Sequence, residues 1–319
     1  MGRNWANERM RAIRYHERGG IEVLKLEEVP LPAFGEDEVL VKVLATGVNP
    51  GDWQIRSGLA GDRFPLPYIP GWDISGIVAR TGGKVTGLKP GDRVYGMTAN
   101  SGGCAQYAAV PASQLAAKPS TLSDEEAAAI PMSAFTAWHA LFQQGNVEPG
   151  QTVLVNGASG GVGHFAVQLA KQAGARVIGA ASSASEAFVR ELGADEYAAY
   201  DRQQLAALEN AVDVVLDTVG GNGGEWLLEA LKPEGKLVPV AWGSYPEEIA
   251  ARKKLNIRDV TYPPITKEGL DRLRECVDEG RLRVVLDSVH SLERTGLAHE
   301  RSESRRARGK IAIRVQEED

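Results

Sequence analysis

The stretch TVLVNGASGGVGHFAVQLAKQAGA, residues 152–175, reads as a strand, a glycine-rich turn and a helix in direct succession. The apolar run TVLVN leads into the turn, and beyond the turn apolar residues recur at helical spacing. Ala158, Gly160 and Gly163 fall on the three glycine positions of the G-x-G-x-x-G fingerprint. A flexible turn is the alternative interpretation. Because a strand precedes the turn and a helix follows it, the pattern favours a dinucleotide pyrophosphate bound at the helix amino terminus.

Outward from this turn, short apolar strands alternate with amphipathic helices. The strand segments are RVIGAAS (176–182), VDVVLDTVG (212–220) and KLVPVAWG (236–243), and the helical segments are SEAFVRELGA (185–194) and GEWLLEALKPEG (224–235). Such alternation specifies a parallel sheet that is covered by helices on both faces. We therefore predict an α/β domain with a doubly wound parallel sheet.

The chain before this region has a different pattern, with short strands separated by Gly and Pro. These strands are EVLVKVLATGV (38–48), DISGIVART (73–81), GDRVYGM (91–97) and AQYAAVPA (105–112). The segment 123–145 starts with Ser123 as a helix N-cap candidate and predicts linking helices interrupted by Pro131. A late strand, KIAIRV (310–315), follows a further helix. Since 319 residues exceed the usual size of one hydrophobic core, we expect two domains.

Composition and charge exclude several classes of function. The formal net charge of -6 lacks the basic face that nucleic-acid binding needs, so no nucleic-acid partner is expected. No apolar run is long enough to span a bilayer and no signal peptide is recognisable, so no membrane partner and a cytoplasmic location are expected. The two cysteines, Cys104 and Cys276, are too few for a disulfide framework.

Several motifs in a fixed order resemble one protein family. They are EVLVKVLATGVNPGDWQIRSG (38–58), YIPGWDISGIVA (68–79), GDRVYG (91–96), FTAWHAL (135–141), NGASGGVG (156–163) and ARGKIAIRV (307–315). In this order the chain resembles the zinc-independent, zeta-crystallin-like quinone oxidoreductase branch of the medium-chain dehydrogenase/reductase family. The resemblance implies a GroES-like β-rich catalytic domain plus a Rossmann domain. We expect the catalytic domain at 1–121, the Rossmann domain at 122–264, and a return to the catalytic domain at 265–319.

The resemblance also bears on metal binding. Zinc-dependent relatives carry a cysteine ligand in the loop matching Asn49 and a His-Glu pair where this chain has Trp72 and Asp73. Zinc sites need thiolate, imidazole or carboxylate ligands, and these three positions provide at most one such side chain. Cys104 stands alone where such relatives have a four-cysteine lobe. We therefore predict that no zinc is bound.

Without a metal, hydride transfer requires an acceptor that is already electrophilic, which points to a small-molecule quinone or an activated α,β-unsaturated carbonyl (an enone). The family polarises the acceptor oxygen from the loop matching Asn49 to Gln54, so these two residues are the catalytic candidates. Asn49 is alternatively a turn residue before Pro50. Many relatives carry Tyr or Lys at the position of Gln54, and an amide cannot donate a proton at neutral pH, so water is expected to protonate the product.

The cofactor-binding candidates come from the turn, from strand ends and from the resemblance. Ligands of such sheets sit at the carboxyl ends of strands. In the family a threonine matching Thr136 lies near the nicotinamide, and Lys310 matches a position near the cofactor. A helix-interior threonine and a solvated helix end are the alternative interpretations. The full set besides these two is Ser159, Gly160, Gly161, Val162, Val219, Ala241 and Trp242.

NADP(H) is the predicted cofactor, on the basis of the second Rossmann strand. NAD-specific sites place Asp or Glu about 20 residues beyond the glycine turn, where this chain has Ser182 and Ser183. Their hydroxyls can donate to a 2′-phosphate, and Tyr200 matches a family tyrosine that contacts this phosphate. The serines are alternatively a cap of the following helix. Glu186 replaces a phosphate-binding Lys of several relatives, which weakens the expected discrimination.

Two further expectations concern the role and assembly of the chain. A non-catalytic dinucleotide-binding structural or regulatory protein is the alternative function, because the same fold serves both. A homodimer is expected, since family members often pair the edges of their Rossmann sheets and KLVPVAWG (236–243) would supply an edge strand.

Overall fold

The computed structural model describes residues 8–201, 208–261 and 264–318, and it divides the chain into two compact units. Unit 1 comprises residues 1–132, 265–279 and 284–319, and unit 2 comprises 133–264 and 280–283. Most of the C-terminal stretch, residues 265–279 and 284–319, thus belongs to the same unit as the N-terminal part.

The amino-terminal part of unit 1 is mostly sheet. Its elements are β1 (Arg9–Arg14), β2 (Lys25–Pro30), β3 (Glu38–Val48), α1 (Pro50–Ser57), β4 (Asp73–Thr81), β5 (Arg93–Met97), β6 (Tyr107–Pro111), β7 (Leu115–Ala117) and α2 (Asp124–Ala128). Strands β1 and β2 pair antiparallel, and β3 pairs antiparallel with both β4 and β6. The strands β3 and β4 coincide with the segments predicted at 38–48 and 73–81.

Helix α2 belongs to unit 1, so the first break between the units follows Met132 and not residue 121. Ser123 caps this helix, since its side chain accepts from the backbone N–H of Glu126 at 3.2 Å. The first residue of α2, Asp124, accepts a hydrogen bond from Ser75 Oγ on β4 at 2.7 Å. This side-chain contact with the sheet explains why the helix stays with the β-rich unit.

Unit 2 alternates helices and strands. Its elements are α3 (Pro131–Trp138, beginning at the border), β8 (Thr152–Asn156), α4 (Gly163–Gln172), β9 (Arg176–Ala181), α5 (Glu186–Glu191), β10 (Glu196–Ala199), β11 (Val212–Asp217), α6 (Glu225–Ala230), β12 (Leu231–Pro239), α7 (Glu247–Lys253) and β13 (Asn256–Ile257). Pro131 begins α3 and does not interrupt a helix, because proline fits a first helical turn, where its missing N–H costs no hydrogen bond. A single π-helical turn, His139–Gln144, extends α3.

All strand pairs in the sheet of unit 2 are parallel, in the order β10-β9-β8-β11-β12-β13. Taking β8 as the first strand, this is the order 3-2-1-4-5-6 of the Rossmann fold, whose topological switch point lies beside that first strand. The expectation that KLVPVAWG forms an edge strand is wrong, because β12 is paired on both sides. The edge at that end is the short β13.

The carboxyl-terminal part returns to unit 1 through α8 (Lys267–Asp278), β14 (Leu286–Ser291), α9 (Thr295–Glu303) and β15 (Lys310–Arg314). Strand β15 pairs antiparallel with the end of β3, placing Ile311 opposite Val48. The resulting sheet has the order β14-β15-β3-β4-β5-β7, and its core joins apolar residues of β3, β4 and β15. No helix within residues 8–201, 208–261 or 264–318 has the length and apolar character to cross a membrane.

Candidate functional site

The glycine-rich turn between β8 and α4 presents backbone N–H groups at a helix amino terminus. Gly157 has a φ of +78°, which opens the turn, and its N–H donates to Ala180 O of β9 at 2.9 Å. In the described part of the chain, the N–H groups of Gly161 and Val162 have no hydrogen-bond acceptor. Both residues are partly exposed. Unsatisfied donors at the positive end of a helix dipole form an anion site.

Two glycines of the turn are required for different reasons. A Cβ on Gly163 would lie 2.1 Å from Gly157 O, so a side chain there would separate the helix from the turn. A Cβ on Gly160 would meet only Gly157 O, at 3.3 Å, and would otherwise project into open space. The fingerprint assigns that space to the pyrophosphate. Ser159, beside Gly160, is partly exposed.

Asp217 organises the loop at the end of β11, a role that the sequence interpretation missed. Its Oδ1 accepts from Asn156 Nδ2 at 2.8 Å and from the backbone N–H groups of Val219 and Gly220 at 3.0 and 3.1 Å. Its Oδ2 accepts from the Tyr245 hydroxyl at 2.7 Å. Asp217 is 1% exposed. The available signal was its position as the last residue of an apolar strand, where site residues of this fold are found.

The candidates at the strand ends are open to solvent within unit 2. Val219 is 46% and Trp242 is 76% exposed, and Ala241 is partly exposed. Their loops are joined, because Gly221 N–H donates to Trp242 O at 2.9 Å. Thr136 is half-buried on α3. These residues are placed at the carboxyl edge of the sheet or on α3, and their contacts with a cofactor stay predictions.

The end of β9 carries the residues predicted to recognise a 2′-phosphate. Ser183 donates from its backbone N–H and its hydroxyl to the carboxylate of Asp201, at 3.0 and 2.9 Å. The Ser182 hydroxyl lies 3.4 Å from Ser185 Oγ and does not cap the helix. Tyr200 is 50% exposed. The sequence interpretation missed Asp201, since it follows β10 and not β9.

A buried polar cluster in unit 1 contains Asn49, Asp73 and Lys310. Lys310 Nζ donates to Asn49 Oδ1 at 2.6 Å and to Val48 O at 3.0 Å. Asn49 Nδ2 donates to Asp73 Oδ2 at 2.9 Å, and Lys310 Nζ lies 3.9 Å from the same oxygen. Asp73 Oδ1 accepts from the backbone N–H of Met132 at 3.0 Å. All three side chains are 3% exposed or less, so β3, β4 and β15 meet at a desolvated ionic cluster.

This environment shifts the ionisation of the cluster. Burial raises the pKa of Asp73 to about 6, while Lys310 and Asn49 act to lower it. Burial also lowers the pKa of Lys310, and Asp73 and Asp52 oppose that effect. The ammonium therefore acts as the internal counter-charge of these carboxyl groups. The predicted contact of Lys310 with a cofactor and the catalytic role of Asn49 stay predictions.

Asp52 and Gln54 lie on α1, beside this cluster in sequence. Asp52 orders the loop, since it accepts from the backbone N–H groups of Asn49 at 2.8 Å and Gly71 at 2.9 Å. It does not pair with Arg56, whose guanidinium binds Glu303 at 2.9 Å. Gln54 is half-buried. Its backbone carbonyl accepts from Ser57 Oγ, but its side-chain amide makes no hydrogen bond to any residue in the described ranges. It is thus available to a ligand.

The positions compared with zinc ligands are otherwise engaged. Trp72 stacks edge-on against Phe64, with ring centroids 6.1 Å apart. The carboxylate of Asp73 is held by the groups described above, and Cys104 is 1% exposed with a thiol pKa raised by burial. Among the described residues, no group of three or more His, Cys, Asp or Glu side chains is arranged to hold a metal ion.

Two family models match the chain. The model described as "Alcohol dehydrogenase GroES-like domain" covers residues 35–120, and the one described as "Zinc-binding dehydrogenase" covers residues 192–313. The first falls in unit 1, and the second spans β10–β13 and most of the C-terminal return. Each quoted description is that of a whole family and does not by itself assign zinc to this chain.

Relatives match over nearly the full length. A quinone oxidoreductase of Lama guanicoe is 36% identical over 95% of this chain and 97% of its own. A 2-methylene-furan-3-one reductase of Solanum lycopersicum is 35% identical over 95% of this chain and 79% of its own. The solved quinone oxidoreductase of Coxiella burnetii superposes with a TM-score of 0.88 at 32% identity, covering 97% of this chain and all of that one. These relatives are oxidoreductases, and the non-catalytic alternative is not favoured. The chain therefore belongs to the quinone oxidoreductase branch of the medium-chain dehydrogenase/reductase family.

Proposed function

We propose that this chain is a zinc-free, NADPH-dependent reductase of quinones or α,β-unsaturated carbonyl compounds. Family membership supports an oxidoreductase that uses a nicotinamide cofactor. The observation that carries the finer proposal is the buried Asn49–Asp73–Lys310 cluster. An amide (Asn49) and an engaged carboxylate (Asp73) stand at positions where zinc-dependent relatives hold ligands, and the ammonium of Lys310 is hydrogen-bonded to the amide. An ammonium 3.9 Å from the carboxylate opposes a divalent cation there by charge repulsion.

The glycine-rich turn fits a dinucleotide. The N–H groups of Gly161 and Val162 would bind the pyrophosphate, and the space beside Gly160 would let the backbone approach it. Asp217 would keep the loop carrying Val219 in place. A reduced nicotinamide, when bound, supplies the hydride.

The preference for NADPH rests on the end of β9. The sequence places Ala181, Ser182 and Ser183 there, where an NAD-specific site would carry a carboxylate on this strand. Serine hydroxyls and backbone N–H groups are suitable donors to a phosphate. Tyr200 follows β10, is half exposed, and donates its backbone N–H to Ala181 O at 3.2 Å, so it would contribute its hydroxyl from the neighbouring strand end.

If no metal polarises the acceptor, the acceptor must itself be electrophilic enough to take the hydride, and this defines the reaction class. A quinone or enone accepts hydride at an electrophilic carbon, and its oxygen gains negative charge that hydrogen-bond donors stabilise. The Gln54 amide would donate to this oxygen, and Asn49 would fix the loop that carries it. Gln54 has no acidic proton to transfer, so the product would take its proton from water.

Kinetics with several acceptor classes test this proposal. The protein would be treated with chelator, its metal content measured by elemental analysis, and NADPH oxidation followed with a benzoquinone, an enone, an enoyl thioester and a saturated aldehyde. We expect turnover with the quinone or the enone, no turnover with the aldehyde, and a higher kcat/KM for NADPH than for NADH. Stoichiometric zinc in the active protein, or exclusive turnover of the aldehyde, would contradict the proposal.

We also propose a homodimer formed through the β13 edge of the unit 2 sheet. Ile257 on this strand is 39% exposed, which leaves an apolar side chain at an unpaired edge. Light scattering at micromolar concentration should give twice the chain mass. A monomeric mass would exclude this assembly.

A further inference from the structure

The carboxylate of Asp201 lies at the end of β9, although the residue belongs to the turn after β10. Its two oxygens accept from the backbone N–H of Ser183 at 3.0 and 3.2 Å, and one also accepts from the Ser183 hydroxyl at 2.9 Å. The contact is possible because β9 and β10 are neighbouring parallel strands, so their carboxyl ends meet at one edge. Asp201 is therefore close in space to a residue 18 positions earlier in the chain.

Ser183 occupies the place where this fold recognises the adenosine ribose. It stands about 20 residues beyond the glycine turn, the distance at which Rossmann proteins read the 2′ substituent. Its N–H and hydroxyl are the donors that a 2′-phosphate would use, and in this structure a carboxylate already accepts from both. The sequence lacks an acidic residue at the end of β9, but the fold delivers one from the neighbouring strand.

We propose that Asp201 is a specificity-determining residue that limits the preference of this site for a 2′-phosphate over a free 2′-hydroxyl. This inference deepens the proposed NADPH preference and rests on it for the identity of the cofactor. Asp201 acts in two ways. It competes with the phosphate for the donors of Ser183, and its charge repels the phosphate. A ribose 2′-hydroxyl meets neither obstacle, because it can donate to the carboxylate.

Arg190, a basic side chain seven residues after Ser183, contacts other acceptors. Arg190 donates to Glu186 Oε1 at 3.0 Å and lies 3.4 Å from Asp195 O. Tyr197 donates its hydroxyl to Ser182 O and leaves the Ser183 donors to Asp201. The acceptor that the structure shows on the Ser183 donors is therefore the carboxylate of Asp201.

Binding of nucleotide fragments tests the inference without catalysis. Calorimetry would measure the Kd of adenosine 2′,5′-bisphosphate and of 5′-AMP for the wild type, Asp201→Asn and Asp201→Ala. Asparagine removes the charge and keeps the shape, whereas alanine also frees both donors. At about 5 Å in a water-like dielectric, repulsion of a phosphate by one carboxylate corresponds to about tenfold in affinity. We expect the Kd ratio of 5′-AMP to bisphosphate to rise about tenfold in Asp201→Asn and further in Asp201→Ala.

Two controls separate this role from general effects. Glu248→Gln removes an exposed charge from the first turn of α7 and should leave the ratio unchanged. Ser183→Ala should weaken bisphosphate binding more in the Asp201→Ala background than in the wild type, because only there is the hydroxyl released. Thermal unfolding and circular dichroism confirm that each variant is folded, and Asp201→Asn stands in if Asp201→Ala fails to fold.

Each outcome is decisive. A ratio that is unchanged or lower in folded Asp201→Asn and Asp201→Ala overturns the role of Asp201, and leaves the proposed reductase activity standing. If Glu248→Gln raised the Kd ratio as much as the Asp201 variants do, the rise would be a long-range charge effect. That result would likewise overturn the role of Asp201. Absence of binding of both fragments to the wild type would refute the cofactor assignment together with this inference. Loss of turnover with every acceptor, with the expected Kd ratios intact, would refute only the proposed reaction.

Discussion

Lys310→Met tests whether the ammonium of Lys310 balances the charge of the buried Asp73 carboxylate. Methionine is also unbranched and fills much of the space of the lysine stem, but it removes the cation 3.9 Å from Asp73 Oδ2. It also removes the donor to Val48 O and Asn49 Oδ1. Asp73, at 0% exposure, cannot replace these interactions with water. We expect a folded but clearly less stable protein.

The magnitude follows from the distance and from the pKa of Asp73. A pair of unit charges at this distance interacts by about 4 kcal/mol at an effective dielectric of 20. Removal of one partner of a buried pair costs about 3–5 kcal/mol, so the free energy of unfolding at pH 8 should fall by about 4 kcal/mol. Lys310 lowers the pKa of Asp73, which stands at about 6 in the folded protein. Without it the folded pKa is higher, so between that raised pKa and about 6 the variant's Asp73 is protonated while that of the wild type is charged. The loss therefore shrinks as the pH falls through this window and stays at its smallest below about 6.

Urea unfolding at pH 8 and pH 5 measures both effects, and Lys310→Met/Asp73→Asn supplies the matched double variant. The double variant has no unpaired charge at Asp73, so it should recover much of the lost stability, and its deficit should not grow between pH 5 and pH 8 as that of the single variant does. A loss below about 1 kcal/mol at pH 8 would show that water or another group carries out the role assigned to Lys310. A loss of equal size at both pH values would show that packing, and not charge, accounts for it.

Gly160→Val should abolish binding of NADPH while the fold survives, because the added side chain would fill the open space beside the turn. Unchanged NADPH affinity of the folded variant in a fluorescence titration would show that the turn does not bind the pyrophosphate. Asp217→Ala should lower the free energy of unfolding by about 2–4 kcal/mol, since it strands several donors that now bind one buried carboxylate; a change below 1 kcal/mol in urea unfolding would contradict this. His299 is 1% exposed and burial lowers its pKa to about 3, so the free energy of unfolding should fall by about 2 kcal/mol between pH 7 and pH 5 as the imidazole of the unfolded chain takes up a proton. His299→Gln should remove that part of the pH dependence, and parallel pH profiles for the two proteins would refute it.

The local elements of both units could be predicted from sequence patterns. Strand β8 and its turn were predicted to the residue, because an apolar run, a glycine turn and a helical repeat are all local signals. The strands β3 and β4 were equally clear. The expected return of the C-terminal stretch to the first domain came from the resemblance alone, and the pairing of β15 with β3 was not predicted, since no local pattern indicates which strand a late segment will pair with.

The polar contacts of the site could not be predicted, because their partners are distant in sequence. Asp217 binds Tyr245 and Asn156, which lie on separate loops and strands. Asp201 reaches Ser183 only because β10 is placed beside β9. The sequence therefore indicated no carboxylate at the end of β9, and the order of the strands placed that of Asp201 there.

The pairing of β15 with β3 has a consequence for how the protein is made. Lys310 and Val48, which meet in the cluster, are 262 residues apart, a distance that takes about 13–52 s to translate. Unit 2 lies within that interval, so it emerges from the ribosome and can fold while the end of β3, Ala45–Val48, still lacks its partner strand on one side. Until the last strand arrives, Asp73 has no ammonium beside it and the backbone of β3 is a template for foreign strands. We therefore expect the nascent chain to be most prone to aggregation during this interval, which docking of its final strand ends.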